Sequence, residues 1–323
     1  MKTNVKLDEK NKKILYELSK NCRIPSIRLA KIACVSREVI EYRIKKLVEK
    51  GVITSFVADI DIGFLGCTRY LVYLELQNVD EIKETEILKK VVANPFVSWT
   101  TTQTGKWNVI FDVIAKDIKQ VDGVVRSLQN QYSTKISDYK IATQLEYQHY
   151  YSKYFGPEPM DKKSTVEHKM DSVDLKILKN ITNDARASYI ALSEKMGLTA
   201  NTIKLRIQKL QKAGIIRRFT IQVNKNLLGF QPYNIQFTFK DALPAKSKKF
   251  LNHIKHHPNV NFYYFPLGHW DLEIGLFVKD TNQLRSIIID FRNKFSDVVR
   301  IYDCMSFYEE LKPNYVPEGV FEV

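Results

Sequence analysis

Ser36-Arg37-Glu38-Val39-Ile40-Glu41-Tyr42-Arg43-Ile44-Lys45-Lys46-Leu47-Val48-Glu49-Lys50-Gly51-Val52-Ile53 returns 163 residues later as Thr199-Ala200-Asn201-Thr202-Ile203-Lys204-Leu205-Arg206-Ile207-Gln208-Lys209-Leu210-Gln211-Lys212-Ala213-Gly214-Ile215-Ile216. Each stretch reads as one helix. Ser36 and Thr199 are capping residues, Ile40, Ile44 and Leu47 (Ile203, Ile207 and Leu210) form a buried stripe, and Gly51 or Gly214 ends it. Upstream, Ile14, Leu15 and Leu18 have helical spacing, and Pro25 suits the opening turn of a second helix. Downstream, the β-prone runs 52–57 and 215–220 are expected to form a hairpin wing. Three helices and a wing, with two short helices joined by a tight turn, place the third helix in a major groove.

The charge agrees with that layout. The chain carries a formal net charge of +14, which favours a polyanionic partner. Residues 1–60 hold 14 Lys/Arg against 7 Asp/Glu, and residues 161–223 hold 13 against 6; the remainder balances at 23 against 23. The excess positive charge is thus confined to the two helical segments, and double-stranded DNA is the expected partner.

At the 163-residue offset, residues 7–66 align with 170–229 without a gap at about 17 identities, where chance gives about four. The offset continues through Gly105-Lys106-Trp107-Asn108 onto Gly268-His269-Trp270-Asp271. After each basic segment the pattern reads β-α-β-β-α-β. The strands are expected at about 69–76, 96–103, 107–115 and 135–146, and again at 232–240, 259–266, 270–278 and 297–308. The expected fold class is α+β, two winged helix-turn-helix domains alternating with two ferredoxin-like βαββαβ domains. Their bounds are 1–62, 63–155, a linker at 156–166, 167–225 and 226–323. Runs such as Tyr70-Leu71-Val72-Tyr73-Leu74 are apolar on both faces, so helices cover half of what must be buried and the other copy's sheet is expected to cover the rest. One chain is therefore expected to form a pseudo-dimer.

No stretch approaches the roughly 18 apolar residues of a membrane span, and the N-terminus lacks the apolar region of a signal peptide, so a cytoplasmic protein without a membrane partner is expected. Cys22, Cys34, Cys67 and Cys304 contain no Cys-x-x-Cys pair and read as small buried hydrophobes. His253, His256 and His257 have ligand spacing, yet imidazoles at a helix end also complement its dipole. Neither a metal nor a cofactor is expected.

On Leu7-Asp8, Ile14-Leu15, Asn21 to Arg23, Leu29-Ala30, Ser36 with Val39, Arg43-Ile44, Leu47, Gly51-Val52-Ile53 and Leu65-Gly66, the chain resembles the Lrp/AsnC family of feast/famine transcription regulators. The second copy matches on Met170-Asp171, Asp174, Ile177-Leu178, Ala185-Arg186, Leu192, Arg206-Ile207, Gly214-Ile215-Ile216 and Leu228-Gly229. The resemblance implies a DNA-binding domain joined to an α/β domain that pairs with others and often senses amino acids. A typical member has one copy, so the duplication is a departure. It also implies further homo-oligomerisation of whole chains.

The DNA-reading residues expected from the start of each third helix are Ser36, Arg37, Glu38, Glu41, Tyr42 and Lys45, and Thr199, Ala200, Asn201, Lys204, Leu205 and Gln208. Asn201 suits adenine, Leu205 a thymine methyl, and Glu38 cytosine. Arg43 and Arg206, beside the buried stripe, suit phosphate or a structural ion pair; Arg217 and Arg218 in the second wing suit the DNA backbone. By the resemblance, Gly105, Trp107 and Asn108, with Gly268, His269, Trp270 and Asp271, lie near an effector pocket for an amino acid or other small molecule. Ordinary turn chemistry and packing are the competing reading. The rival of another class is a sirohaem-decarboxylase-like enzyme on the same tandem architecture. No catalytic triad or phosphate-binding loop is legible, and no catalytic residue is expected.

Overall fold

The computed structural model describes residues 4–158, 167–240, 244–311 and 316–322, so the expected linker lies outside the described residues from 159 onward. Copy one runs α1 (Glu9–Lys20), α2 (Ser26–Ala33), α3 (Arg37–Glu49), β1 (Ile53–Ile60), β2 (Thr68–Leu76), α4 (Glu81–Val92), β3 (Val97–Gln103), β4 (Val109–Ala115), α5 (Ile118–Gln131) and β5 (Ile136–His149). Copy two repeats it as α6 (Ser172–Asn183), α7 (Tyr189–Met196), α8 (Ala200–Lys212), β6 (Ile216–Val223), β7 (Gln231–Phe239), α9 (Pro244–His256), β8 (Val260–Leu267), β9 (Leu272–Val278), α10 (Thr281–Phe295) and β10 (Val299–Leu311). Side-chain caps start most of these helices: Asp8, Ser36, Asp80, Asp117, Ser188, Thr199 and Asp280 each accept from a backbone N–H in the first turn, and Asp171 forms a capping box with Asp174.

The expected domains combine in pairs. One compact unit gathers residues 1–65, 151–229 and 321–323; the other gathers 66–150 and 230–320. In the first, the hairpin wing expected of each copy does not form. Each third helix is followed by one strand and then a short 3-10 turn, at Ile62–Leu65 or Lys225–Leu228. A lone strand leaves its backbone groups unpaired, and here each supplies the other's partner: β1 and β6 form a two-stranded antiparallel ribbon. The copies interlock around it. The Cys22 amide donates to the Phe219 carbonyl at 2.9 Å, and its equivalent Ala185 donates to Phe56 at 3.1 Å. Asn224 donates to Val52 and Asp61 to Ile215, again an equivalent pair.

In the second unit the strand orders β5-β2-β4-β3 and β10-β7-β9-β8 are those of two ferredoxin-like sheets, joined at β5–β8 and β10–β3 into a closed eight-stranded barrel. The two-sided apolar runs now have their explanation. On β2, Tyr70, Val72 and Leu74 point outward to a core with Ile87, Val91, Val121 and Val125 of the covering helices. Leu71 and Tyr73 point inward to Trp107, Ile110, Ala142, Tyr264 and Trp270. The two copies therefore pack sheet against sheet as expected and also pair edge to edge, which leaves no open sheet edge.

Candidate nucleic-acid interface

Both third helices present the face that their spacing dictates. Ile40, Ile44 and Leu47, and Ile203, Ile207 and Leu210, are buried. Ser36, Arg37, Glu38, Glu41, Tyr42 and Lys45 are exposed, as are Thr199, Asn201, Lys204, Leu205 and Gln208; Ala200 is half-buried. Tyr42 is 60% and Leu205 50% exposed, so each helix holds a large apolar surface in solvent at the reading position. The preceding turn reverses through a left-handed residue in each copy, Cys34 (φ 53°) and Gly197 (φ 66°). Glycine adopts that conformation freely and cysteine rarely does.

The two helices differ in charge. On α3, Arg37 is bonded to Glu41 at 2.8 Å and Lys46 to Glu49 at 2.8 Å, so much of its positive charge is matched locally. The Glu38 carboxyl is held below the usual carboxylate range by its own backbone N–H and the Ser36 hydroxyl. Helix α8 carries Lys204, Arg206, Lys209 and Lys212 and has no acidic residue of its own between 200 and 212.

Of the expected phosphate contacts, Arg43 and Arg206 are drawn into structural ion pairs. Arg43 donates to Asp8 at 2.7 Å and to Asn11 at 3.0 Å; Arg206 donates to Asp171 at 2.8 Å and to Asp174 at 2.9 Å. Each arginine thereby locks the reading helix to the N-terminus of the first helix in its own copy. The placement of Arg217 and Arg218 on a hairpin wing is corrected, and with it the surface role of Arg218. Strand β6 lies in the ribbon, Arg217 pairs with Asp61 at 2.8 Å, and Arg218 is 7% exposed, paired with Glu158 and stacked near Tyr151. Packing against the ribbon, which the one-dimensional pattern does not show, withdraws Arg218 from the surface, while Arg217 stays exposed beside Asp61.

Arg23 was not singled out from the sequence beyond its repeat as Arg186, yet it has a defined structural role. It donates to the Ala185 and Ala187 carbonyls at 2.8 and 2.7 Å and lies over Tyr189 and Phe219, while Arg186 lies over Phe56. Its identity across the repeat was the available signal. Part of the basic charge of each segment thus serves copy-to-copy pairing.

The expected effector turns are partly structural as well. Asn108 accepts from the Leu76 amide at 2.7 Å, and Asp271 accepts from the equivalent Phe239 amide at 2.7 Å. Trp107 and Trp270 are buried inside the barrel, with Tyr73 edge-on between them. Gly105, Gly268 and His269 remain at the surface. Among the histidines, His253 faces Asp290 at 3.2 Å.

Two helix-turn-helix units on one pseudo-twofold ribbon define a DNA-binding protein of the helix-turn-helix class, and the comparisons with known proteins give the same class. A sequence profile described as winged helix-turn-helix DNA-binding matches residues 7–54 and 170–217. The HTH-type transcriptional regulator AldR of Mycolicibacterium smegmatis is 30% identical over 142 residues, 43% of this chain and 82% of AldR. The transcriptional regulator AzlB of Bacillus subtilis is 31% identical over 122 residues, 38% of this chain and 78% of AzlB. The chain belongs to the Lrp/AsnC family of HTH-type transcriptional regulators. The tandem arrangement has its own likeness: the siroheme decarboxylase NirDL superposes over 97% of both chains with a TM-score of 0.66 at 16% identity, a shared fold. Among the described residues, no helix is long and apolar enough to cross a membrane.

Proposed function

We propose that the chain regulates transcription by setting its two recognition helices on two unlike half-sites of one DNA duplex. The observation that carries this reading is the β1–β6 ribbon, which holds α3 and α8 in one compact unit around a pseudo-twofold axis while their exposed residues differ. A pair of helices so related suits a two-part operator. Identical helices would read a palindrome; Arg37, Glu38, Glu41 and Tyr42 against Ala200, Asn201, Lys204 and Leu205 read different bases.

An amino acid or other small effector is the expected input, and whole chains are expected to associate further, which sedimentation reads directly. At the turns, an effector would meet the backbone of Gly105 and Gly268 and the His269 ring, because Asn108 and Asp271 already serve the strand ends. The NirDL fold favours a second reading, tetrapyrrole chemistry, and one experiment separates the two. Genomic fragments retained at moderate salt are selected and footprinted, and in parallel the protein is titrated with an iron tetrapyrrole and followed by absorbance. Discrete footprints with two unlike elements support the regulator. Retention of no fragment, together with a saturable tetrapyrrole spectrum, would replace it with the enzyme.

A further inference from the structure

The barrel interior is not symmetric between the copies. Leu71, Tyr73, Thr101 and Ile110 of copy one correspond in the repeat to Asn234, Gln236, Tyr264 and Glu273 of copy two, so polar groups gather on the copy-two wall. Glu273 is buried there. Its carboxylate accepts from the Asn234 and Gln236 amides and, at 3.1 Å, from the Tyr73 hydroxyl, which also meets the Tyr264 hydroxyl at 2.8 Å. Every one of these partners is neutral. Burial pushes the carboxyl pKa upward, against the pull of these hydrogen-bond donors.

The next row of the same wall leaves three side-chain oxygens unpartnered. Asn234 is in register with Gly275 on one side and with Met305 on the other. Gly275 brings no side chain, and a Cβ there would lie 2.6 Å from Asn261 Oδ1. Met305 Sδ receives the Gln103 side-chain amide at 3.4 Å. Gln103 Oε1, Asn234 Oδ1 and Asn261 Oδ1 are buried without a hydrogen-bond partner among the described residues. Asn234 cannot exchange its oxygen for its nitrogen, because the nitrogen is committed to Glu273. The unpartnered Trp270 indole N–H is a donor and stands apart from this row.

Copy one shows what completes such a row. Gly275 corresponds to Asp112, Asn261 to Ser98 and Pro232 to Arg69. There the Arg69 guanidinium and the Ser98 hydroxyl both bond Asp112, so copy one carries its cation on its own side chain. Copy two lacks that ion pair, and its buried carboxylate, Glu273, stands one row along at the position of Ile110 with no cationic side chain bonded to it among the described residues.

We propose that the copy-two wall binds one small monovalent cation, ammonium or an alkali ion, through the amide oxygens of Gln103, Asn234 and Asn261, with Glu273 balancing its charge. Calcium takes roughly 6–8 oxygen ligands and magnesium keeps several of its waters, more than this buried row of three amide oxygens accommodates. The ion faces Glu273 as Arg69 faces Asp112 in copy one, one row apart in the repeat, and the site is independent of the DNA-reading function.

The full-length protein, without DNA, is melted in rubidium, potassium or ammonium chloride and in choline chloride at equal ionic strength, and crystals grown in rubidium chloride are examined for anomalous scattering. The expected result is a melting temperature that rises and saturates with the small cation alone. Glu273→Gln abolishes the rise, and the wild-type crystals show a rubidium peak between Asn234 and Asn261. Equal melting in all the salts, or an ordered water without anomalous signal at that position, overturns the proposal. The crystallographic readout uses the unaltered chain and holds even if Glu273→Gln does not fold.

Discussion

Val57 lies directly across the ribbon from Thr220, and these are the two positions that the 163-residue repeat makes equivalent. The pseudo-twofold axis of the helix-turn-helix unit therefore passes between them, and the paired contacts around it follow: Phe56 opposite Ile221, Ala58 opposite Phe219. Symmetry fails a short step away. Ser55 bonds Gln222, whereas the equivalent position on the other strand is Arg218, tied to Glu158. The ribbon is symmetric at its centre and specific at its ends.

Arg218 is expected to matter for stability and not for base preference. Truncating one partner of a buried ion pair leaves the other charge uncompensated, a loss of about 3–5 kcal/mol. Arg218→Ala should lower the urea midpoint strongly while Arg217→Ala, at a more exposed pair, lowers it little. A selective shift in operator preference with unchanged stability would restore the surface role.

The salt dependence of DNA binding should come mainly from copy two. Each phosphate contact adds about 0.9 to the slope of log affinity against log salt. Replacing Lys204 and Lys209 with alanine should flatten that slope more than replacing Lys45 and Lys46, because Lys46 already serves Glu49 and Lys45 lies within 3.9 Å of it. Equal losses from the two sets would show that the local ion pairs on α3 open on binding.

Asn201 is expected to read one base pair. Asn201→Ala should cost about 1–3 kcal/mol at one A·T position and leave the other half-site unchanged. Base-by-base substitution of the operator decides it, and a uniform loss across all positions would assign Asn201 to the backbone.

The locks between first and third helices should fail in acid. Asp8 is held below the usual carboxylate range by the Asn11 backbone N–H and then by Arg43, and Asp171 by the Asp174 backbone N–H and then by Arg206. A carboxyl depressed on folding stabilises the native state above its unfolded pKa of about 3.9, and that contribution disappears as pH falls through the folded value. Melting followed by circular dichroism should therefore show these groups contributing fully at neutral pH and declining below about pH 4. Both carboxylates are about half exposed, so the effect is modest. Asp171→Asn should shallow the acid limb; an unchanged limb would remove the lock from the stability of copy two.

Gly275 should tolerate no side chain. A Cβ there would lie 2.1 Å from a Phe262 ring carbon, so Gly275→Ala should destabilise the barrel by at least the 1–3 kcal/mol typical of overpacking, read as a lower urea midpoint.

The sequence by itself determined the repeat, the order of helices and strands, and which face of α3 and α8 meets solvent. Each is a local matter: Ile40, Ile44 and Leu47 fall on one side of any helix that contains them, and Ser36 and Gly51 mark its ends whatever surrounds it. The apolar run at Tyr70 to Leu74 also announced a sheet buried on both faces. Only the tertiary structure decided what each strand pairs with, because a lone β1 has the same composition whether its partner is a wing strand or β6 of the other copy. That choice buried Arg218 and set Arg217 against Asp61. Arg43 and Arg206 likewise became locks through Asp8 and Asp171, 35 residues away in each copy. Charge can be counted along a chain, but whether an arginine meets solvent or a carboxylate depends on long-range packing, and so the reading faces were legible where the ion pairs were not.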